Sequence, residues 1–270
     1  PECVLHFAAL AYVGESFDRS ADYFDINVGG TASLLAAMAE ANVGRLVFSS
    51  SCTVYGLPDS VPISEDARVK PAESPYGETK QMCETMIRWQ SRTAGLSFAA
   101  LRYFNAAGAW GIHGEDHRPE THLIPLVIEA AMQGARSAGM GGGVKIFGKD
   151  YPTKDGTCVR DYVHIQDLAT AHAAACEKLL GADSGTGLTV NLGSGQGSSI
   201  LDVIRAIERI SAKKVPHEFV QRRKGDPPEL VAANGKAAEL LGWKPQHSSL
   251  DEVVRTAWEW CEKHPSGYPA

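Results

Sequence analysis

The sequence lacks long apolar runs and tracts of basic residues, and each absence argues against a class of function. No stretch approaches the roughly 20 apolar residues that a membrane-spanning helix needs, and no charged-then-apolar leader opens the chain. The formal net charge of -6 comes with no basic tract beyond Arg222, Arg223 and Lys224, which argues against nucleic acid as a partner. We therefore expect a cytoplasmic protein that neither crosses a membrane nor binds nucleic acid.

Cysteines are present, but their spacing matches no known cysteine framework. The six cysteines stand singly, without a C-x-x-C pair, so neither a disulfide framework nor a cysteine zinc site is predicted. Cys52 has no identifiable base partner in the sequence, and we expect an inert, buried thiol at this position rather than a nucleophile.

Short apolar runs alternate along the chain with segments of helical periodicity. Runs at 3–7, 45–49, 97–102, 144–147 and 188–192 predict strands buried on both faces. Helical patterns occupy 22–41, 75 to about 93, 123–134, 167–180, 199–211 and 250–261. The alternation predicts an α/β fold with a doubly wound parallel sheet of the Rossmann type. A shift after Asn105 towards longer loops predicts a smaller second subdomain, and the stretch GMGGG at 139–143 predicts a mobile loop.

A tyrosine and a lysine lie one helical turn apart in the segment SPYGETK. Ser74 is a good N-cap and Pro75 a good first helical residue, which puts Tyr76 and Lys80 on the same face of the helix. A nearby ammonium group and the positive end of the helix dipole favour phenolate, so Tyr76 could take a proton from a substrate hydroxyl. The motif alone is weak, because about 0.4 such spacings are expected by chance. A solvated helix start is the alternative interpretation.

Polar residues also follow three of the predicted strands. Ser51 and Thr53 follow the strand RLVF, Tyr103 and Asn105 follow the strand SFAALR, and HFAA ends the first strand at 6–9. The carboxyl ends of parallel strands are where open α/β sheets bind ligands. The convergence of three strand ends favours an active site over a polar turn.

Longer motifs connect these residues to a family. HFAA, N-x-x-G-T, SSS-x-TVYG, SPYG-x-x-K, LRYFN, GED, IFG-x-DYPT-x-DGT-x-VRDY-H and RR-x-GD occur in this order across essentially the whole chain. In this set the sequence resembles the extended short-chain dehydrogenase/reductase family, and closely its UDP-glucose 4-epimerases. The resemblance implies that NAD removes hydride from C4 of a UDP-sugar, that the 4-keto sugar turns, and that hydride returns to its opposite face. It also implies a homodimer packed through the helices at 22–41 and 75–93.

The resemblance implies roles for individual residues. Tyr76 is the acid/base, Lys80 lowers its pKa and anchors a ribose, and Ser51 bonds the 4-oxygen. The residues implied to line NAD are Phe7, Ala8, Asn27, Lys80 and Tyr103. The residues implied to hold the UDP-sugar are Ser51, Asn105, His122, Leu123, Phe147, Arg160, Arg223 and Asp226. Arginines suit a diphosphate and a carboxylate accepts from ribose hydroxyls; a surface ion-pair cluster is the alternative for these charged residues.

Several residues depart from the family pattern, so the sequence does not identify which UDP-sugar is the substrate. His122 stands where many members have asparagine, Ala11 replaces a frequent lysine, and Leu230 occupies a position that sets sugar selectivity. UDP-arabinose, UDP-xylose and UDP-N-acetylhexosamines therefore remain possible substrates. A nucleotide-sugar 4,6-dehydratase would need an acid and a base where Val54 and Tyr55 stand. A non-catalytic nucleotide-binding protein on the same fold is the remaining alternative.

The glycine fingerprint that the family places after its first strand is missing. Gly108, Gly111 and Gly114 have a similar spacing, but no apolar helix pattern follows them. We therefore expect a sheet that is incomplete at its N-terminus, with the fingerprint upstream of Pro1. On this resemblance, 1–105 form a partial NAD-binding domain to which about 158–192 return, and 106–270 form mainly the UDP-sugar subdomain.

Potential metal ligands crowd one segment. They are His113, Glu115, Asp116, His117, Glu120 and His122. Two histidines four residues apart could chelate zinc on a helix, but Gly114 and Pro119 favour a loop. The sequence therefore predicts no metal site.

Overall fold

The computed structural model describes residues 1–134, 143–223 and 226–268. The strands are β1 (Val4–His6), β2 (Arg45–Ser51), β3 (Ser97–Tyr103), β4 (Asn105–Ala107), β5 (Val144–Phe147), β6 (Val159–His164), β7 (Gly187–Leu192), β8 (Gly197–Ser199), β9 (His217–Val220) and β10 (Glu229–Leu230). The helices are α1 (Glu15–Asp18), α2 (Ser20–Tyr23), α3 (Gly30–Glu40), α4 (Pro75–Ala94), α5 (Leu123–Gln133), α6 (Ile165–Leu180), α7 (Ile200–Ser211), α8 (Gly235–Leu241) and α9 (Leu250–Lys263). The predicted mobile loop at 139–143 lies outside the described residues except for Gly143.

The chain divides into two compact units. Unit 1 comprises Pro1–Tyr103, Ala169–Leu192 and Ala233–Lys244. Unit 2 comprises Phe104–Leu168, Gly193–Ala232 and Pro245–Ala270. Among the described residues, no helix has the length and apolar character needed to cross a bilayer.

Unit 1 is built on a parallel sheet with strand order β1-β2-β3-β7. The middle strands are buried along almost their whole length, as the short apolar runs in their sequence predict. Helices α3 and α4 cover the sheet through a core that includes Leu35, Ile87, Phe48 and Phe98. The predicted α/β fold with a parallel, Rossmann-type sheet is confirmed.

Helix α4 begins where the sequence predicts. Ser74 has extended backbone angles, and its side-chain oxygen accepts a hydrogen bond from the Gly77 N–H at 3.1 Å. Pro75 occupies the first turn, where its missing N–H costs nothing. The helix ends at Gly95, whose φ of 72° is the left-handed conformation that glycine adopts most readily. These two caps fix the position of Tyr76 in the first turn.

The predicted helix at 22–41 is interrupted. The segment runs as α2, then a π-helical turn over Phe24–Gly29, then α3. Within the π turn, the Asn27 carbonyl accepts hydrogen bonds from the Thr31 hydroxyl at 2.6 Å and the Cys83 thiol at 3.3 Å. Such turns frequently mark functional positions, and apolar periodicity alone does not reveal them.

Unit 2 contains two small sheets and three packed helices. One sheet has the order β10-β6-β4, with β8 antiparallel to β6, and the other pairs β5 with β9. The core lies between α5, α7 and α9, with Ile128, Ile207 and Trp258 among its buried side chains. Helix α7 begins with a capping box formed by Ser199 and Asp202. The sequence predicts these helices but misses β6, whose segment VRDYVH contains two charged residues.

A buried ion pair joins α4 to the sheet of unit 1. Glu84 is 3% exposed and Arg102 is 4% exposed. The carboxylate accepts hydrogen bonds from Arg102 Nε at 2.9 Å, Arg102 Nη2 at 2.7 Å, the Ser50 hydroxyl at 2.6 Å and Arg88 Nη1 at 3.0 Å. Burial alone would raise the pKa of Glu84, but the hydrogen bonds and charge of Arg102 outweigh it and lower that pKa. The carboxylate is therefore ionised and paired.

The ion pair continues into a wider polar network. The Arg102 guanidinium lies 4.7 Å from the ring centroid of Tyr55. The Tyr55 hydroxyl donates to Asn191 Oδ1 at 2.7 Å, and Asn191 Nδ2 donates to the Ile63 carbonyl at 2.9 Å. One network therefore connects α4, β2, β3 and β7.

We expect Glu84→Gln to lower the free energy of unfolding by about 3–5 kcal/mol, because it leaves the Arg102 guanidinium buried without its counter-charge. Urea unfolding followed by circular dichroism measures the change. Glu177→Gln, an exposed substitution on α6, is the control and should stay within about 0.5 kcal/mol of the wild type.

The difference in the free energy of unfolding between the wild type and Glu84→Gln should depend on pH. Because the pKa of Glu84 is lower in the folded chain, its stabilisation is fully present above the unfolded value of about 4.3 and is lost as the pH falls through the folded value. The difference between wild type and Glu84→Gln should therefore narrow in acid. Equal stability of the Glu84→Gln and Glu177→Gln variants at neutral pH would contradict the role of the pair.

Candidate active site

Polar side chains collect at the carboxyl ends of β2 and β3 in unit 1. The two strands are parallel neighbours, with Ser51 directly opposite Tyr103. Ser49 Oγ lies 2.8 Å from the Tyr103 hydroxyl. Helix α4 begins beside these strand ends, so Tyr76 and Lys80 reach the same region. The structure therefore brings together the three predicted catalytic residues, which are Ser51, Tyr76 and Lys80.

The hydroxyl of Ser51 is oriented by the turn that follows it. Its oxygen accepts hydrogen bonds from the Thr53 N–H at 3.2 Å and the Thr53 hydroxyl at 3.0 Å. The oxygen is thereby used as an acceptor, and its own hydrogen can be donated. Burial raises the pKa of Tyr76 to about 12, and a hydrogen bond with Ser51 acts in the opposite direction. A bond that lowers a phenol pKa is one that stabilises the phenolate, as donation from Ser51 does.

Lys80 is a buried cation next to this phenol. Its side chain is 4% exposed, and Nζ donates to the Ser49 carbonyl at 2.9 Å. Nζ also lies 4.9 Å from the Phe48 ring centroid and 5.8 Å from that of Tyr76. Burial lowers the pKa of Lys80 to about 8, although the charges of Cys83 and Glu84 oppose the change.

The shift in Tyr76 runs opposite to the one that the sequence predicts. The sequence suggests a phenol whose pKa falls because of the nearby ammonium. In the structure, removal of water from the phenol is the largest influence, and the pKa rises. The ring also packs edge-on against Tyr23, with centroids 6.4 Å apart. Burial cannot be read from a local motif, so the sign of the shift could not be predicted.

Two predicted cofactor residues contact a histidine that the sequence analysis missed. His172 on α6 is 4% exposed. Its ring lies 4.7 Å from the Phe7 ring, centroid to centroid, and its Nε2 contacts the Tyr103 hydroxyl. Burial raises the pKa of Tyr103, while the hydrogen bond with Ser49 lowers it. The available signal was a histidine on the apolar face of a predicted helix.

Two further residues predicted to line NAD differ in burial: Asn27 is buried, whereas Ala8 is exposed to solvent. Ala8 is exposed just beyond β1. Asn27 is 2% exposed, and its side chain accepts from the Leu10 N–H at 2.8 Å and donates to the Leu10 carbonyl at 3.0 Å. It also donates to the Thr79 hydroxyl at 3.1 Å. The amide of Asn27 therefore ties the segment after β1 to α4.

Four of the candidate UDP-sugar residues lie in unit 2 and form two pairs. Arg160 Nη2 contacts the Asp226 carboxylate, and Arg160 Nη1 donates to the Pro227 carbonyl at 3.0 Å. The Arg223 guanidinium lies 3.7 Å from the ring centroid of Phe147. Each arginine is thus held by a neighbour that was itself predicted as a site residue.

The remaining candidates of unit 2 lie at element boundaries. Asn105 begins β4 and is in register with Tyr162 of β6. His122 precedes α5. Leu123 is the first residue of that helix and packs against the hydrophobic core of unit 2. Leu230 lies opposite Arg160 in the pairing of β10 with β6.

Packing and turn geometry explain the glycines that mimic a nucleotide fingerprint. Gly108 has φ of 83°, and a Cβ at this position would lie 2.5 Å from the His164 ring. A Cβ at Gly114 would lie 2.2 Å from the Trp260 ring. The segment continues as a loop until α5 begins, which agrees with the sequence argument against a phosphate-binding turn here.

Comparison with known proteins gives the family. A model described as the NAD dependent epimerase/dehydratase family matches residues 1–193. The chain is 45% identical over 269 residues to a UDP-glucose 4-epimerase of Lactobacillus helveticus, covering 99% of this chain and 79% of that protein.

Solved structures agree with this match. A UDP-glucose 4-epimerase from Brucella ovis in complex with NAD has 46% identity and a TM-score of 0.88, with 96% of this chain and 78% of that chain covered. A UDP-glucose-4-epimerase from Stenotrophomonas maltophila with bound NAD and formylated UDP-arabinopyranose has 42% identity and a TM-score of 0.90, with 99% and 78% covered. The resemblance noted in the sequence is confirmed, and the chain belongs to the NAD dependent epimerase/dehydratase family.

Proposed function

We propose that this chain is an NAD-dependent 4-epimerase that interconverts UDP-glucose and UDP-galactose. The observation that carries the proposal is the arrangement of Ser51, Tyr76 and Lys80, in which a serine hydroxyl and a buried ammonium flank one phenol. The relatives named as UDP-glucose 4-epimerases support it at 45% identity over nearly the whole chain. The structures related to this chain at 42–46% identity contain NAD.

The residues at the carboxyl ends of β1 to β3 fit the chemistry of a dinucleotide. The Phe7 side chain is 57% exposed and offers an apolar face to a flat ring. An ammonium group has three hydrogens, and Lys80 donates one of them to the Ser49 carbonyl, which leaves two to bond a ribose diol. Phe7, Ala8 and Lys80 would contact NAD together with Tyr103, while Asn27 holds the backbone beside them. When bound, NAD supplies a hydride acceptor and donor for C4 of the sugar.

Residues of the chain carry out the proton transfer to and from the 4-hydroxyl of the sugar. Tyr76 in its phenolate form takes the proton of the 4-hydroxyl and later returns it to the 4-oxygen. Burial opposes the phenolate, and the Ser51 hydroxyl and the Lys80 ammonium favour it. The Ser51 hydroxyl donates to the same oxygen and stabilises its developing charge. Lys80 supplies positive charge in a region from which water is excluded, where its effect is larger than in solvent.

The second group of candidates supplies the chemistry that UDP requires. Arg160 and Arg223 provide guanidinium groups suited to a diphosphate. The carboxylate of Asp226 orients Arg160 and can accept from ribose hydroxyls. Phe147, stacked on Arg223, offers an apolar surface to a base. Asn105, His122 and Leu123 complete the proposed set, all within unit 2.

Two alternative reactions can be weighed against these observations. A 4-epimerase acting on UDP-pentoses or N-acetylated UDP-sugars would use the same residues, and the Leu230 side chain beside Arg160 is the position at which we expect sugar selectivity to be set. A 4,6-dehydratase is not favoured, because Val54 and Tyr55, which stand where its acid and base belong, are 1% and 0% exposed.

We also propose a homodimer that assembles through the helices of unit 1. Trp89 and Met82 on α4 are 58% and 40% exposed, and Phe17 on α1 and Ile26 in the π turn are 60% and 47% exposed. Apolar side chains exposed on neighbouring helices are typical of an interaction surface. Six free cysteines support a location in the reducing cytoplasm.

Tyr76→Phe should abolish epimerisation, because the ring remains but the proton acceptor is lost. Incubation of the full chain with NAD and UDP-galactose, followed by proton NMR of the anomeric signals, measures conversion to UDP-glucose. We expect a loss on the order of 100-fold to 10,000-fold. Tyr162→Phe, which removes a buried phenol hydroxyl in the core of unit 2 to which no role is assigned, is the control. Turnover by Tyr76→Phe at the control rate would exclude the assigned role.

The order of ionisation at the site should be reversed from that of free amino acids. Lys80 should lose its charge near pH 8, whereas Tyr76 should keep its proton until about pH 12. NMR titration of lysine and tyrosine side chains labelled with carbon-13, without ligands, tests this, with Lys80→Met and Tyr76→Phe to assign the signals. The Tyr76 signal should not move between pH 7 and pH 10. A Lys80 signal that titrates near the ordinary value of about 10.4 would contradict the buried environment described.

Trp89→Glu should convert the proposed dimer to a monomer, because a carboxylate would be buried in an apolar interface. Sedimentation equilibrium should give twice the chain mass of 28.9 kDa for the wild type and the chain mass for the variant. Ile112→Glu is the control, since its side chain is 73% exposed and lies in unit 2. A monomeric wild type, or a dimeric Trp89→Glu variant, would overturn the proposed interface.

A further inference from the structure

Four metal-ligating side chains converge in the loop that precedes α5. Glu115, His117, Glu120 and His122 each offer one ligand-type atom, and these atoms all lie within 4.8 Å of one another. The sequence analysis expected no metal site because the segment is not helical. The loop brings the four side chains together without a helix, so the absence of helical spacing does not exclude a site.

The imidazoles face the carboxylates through the same ring nitrogen. His122 Nδ1 lies 2.9 Å from Glu120 Oε1 and 3.8 Å from Glu115 Oε2. His117 Nδ1 contacts Glu115 Oε1. The centroids of the two imidazole rings are 5.2 Å apart. Two nitrogen and two oxygen donors therefore lie close together.

The loop is held in place by contacts outside the cluster. The Glu115 carbonyl accepts from Trp260 Nε1 at 3.1 Å, and the Tyr268 hydroxyl accepts from the Gly114 N–H at 2.9 Å. The Glu120 carboxylate accepts from the His122 N–H at 2.6 Å, which fixes the carboxylate beside the imidazole of the same residue. A set of donors positioned before the ion arrives loses less entropy on binding.

The donor chemistry selects the kind of ion. Two imidazole nitrogens with two carboxylate oxygens make four donors of the types that Zn²⁺ takes in tetrahedral sites, whereas Mg²⁺ and Ca²⁺ prefer oxygen ligands alone. Two carboxylates also balance the charge of a divalent cation. We propose that Glu115, His117, Glu120 and His122 form a binding site for a divalent transition-metal ion, with Zn²⁺ the best match. The ion would take Nδ1 of His122, and the proposed contact of His122 with the UDP-sugar would use its other ring nitrogen.

The exposure of the ligands predicts an exchangeable site. The side chains of His117 and His122 are 48% and 43% exposed, and those of Glu115 and Glu120 are 29% and 17% exposed. A structural zinc ion is usually enclosed and needed for folding. Here we expect a folded chain without metal and reversible binding from solvent.

Isothermal titration calorimetry of the full, EDTA-treated chain with ZnCl2 in a non-chelating buffer tests the proposal. We expect a single Zn²⁺ to bind per chain and MgCl2 at the same concentrations to give no binding. His117→Asn should weaken Zn²⁺ binding about tenfold or more, since the loss of outer-shell partners alone costs 10–100-fold. His113→Asn, an exposed histidine in the same loop and outside the cluster, should bind like the wild type.

A second variant and a spectroscopic readout complete the test. Glu120→Gln should also weaken binding, with circular dichroism used to establish that it is folded. Co²⁺ in place of Zn²⁺ should give the visible absorption of a tetrahedral site in the wild type and lose it in His117→Asn. No Zn²⁺ binding by the wild type, or equal binding by wild type and His117→Asn, would overturn the proposal. Neither result depends on epimerase activity, so failure of the proposed function would leave this test unaffected.

Discussion

The buried pair of Glu84 and Arg102 is the constraint on which the geometry of unit 1 depends. The Glu84 carboxylate accepts hydrogen bonds from residues of β2, β3 and α4 itself. Helix α4 therefore cannot slide or rotate on the sheet without leaving a buried charge unpaired. Apolar contacts such as those of Ile87 and Phe98 supply most of the attraction, but they are tolerant of small displacements. The ion pair supplies the specificity of register that apolar packing lacks.

Burial is the shared cause of both unusual pKa values at the candidate active site. It raises the pKa of Tyr76 and lowers that of Lys80, because in each residue it disfavours the charged form. Burial therefore opposes both the phenolate that acts as the base and the ammonium that favours this phenolate, so other polar groups must offset it. The hydroxyl of Ser51, aligned by Thr53, is the nearby group that favours phenolate.

Local rules predicted much of this structure, and the failures have identifiable causes. The N-cap at Ser74 and the apolar runs of the parallel sheet depend on neighbouring residues and were predicted correctly. Strand β6 was missed because its charged residues are satisfied by partners distant in sequence, as Arg160 is by Asp226. His172 contacts Phe7 across 165 positions of sequence (172 − 7), and no local motif encodes such a contact. The sign of the Tyr76 shift depends on burial and required the folded structure.

Helix α4 carries both Glu84 of the ion pair and the phenol of Tyr76, so the helix fixes the distance between these two residues along its axis. Tyr76 precedes Glu84 by eight residues, so the helix sets their Cα atoms about 12 Å apart along its axis, at 1.5 Å per residue. Inserting a single residue between them would move Tyr76 by about 1.5 Å and turn it by about 100° around the axis. Tyr76, Thr79, Lys80, Cys83 and Glu84 all have partners in the structure. At the other positions of this segment, substitution should be tolerated far better than insertion or deletion, provided that the length of the helix stays the same.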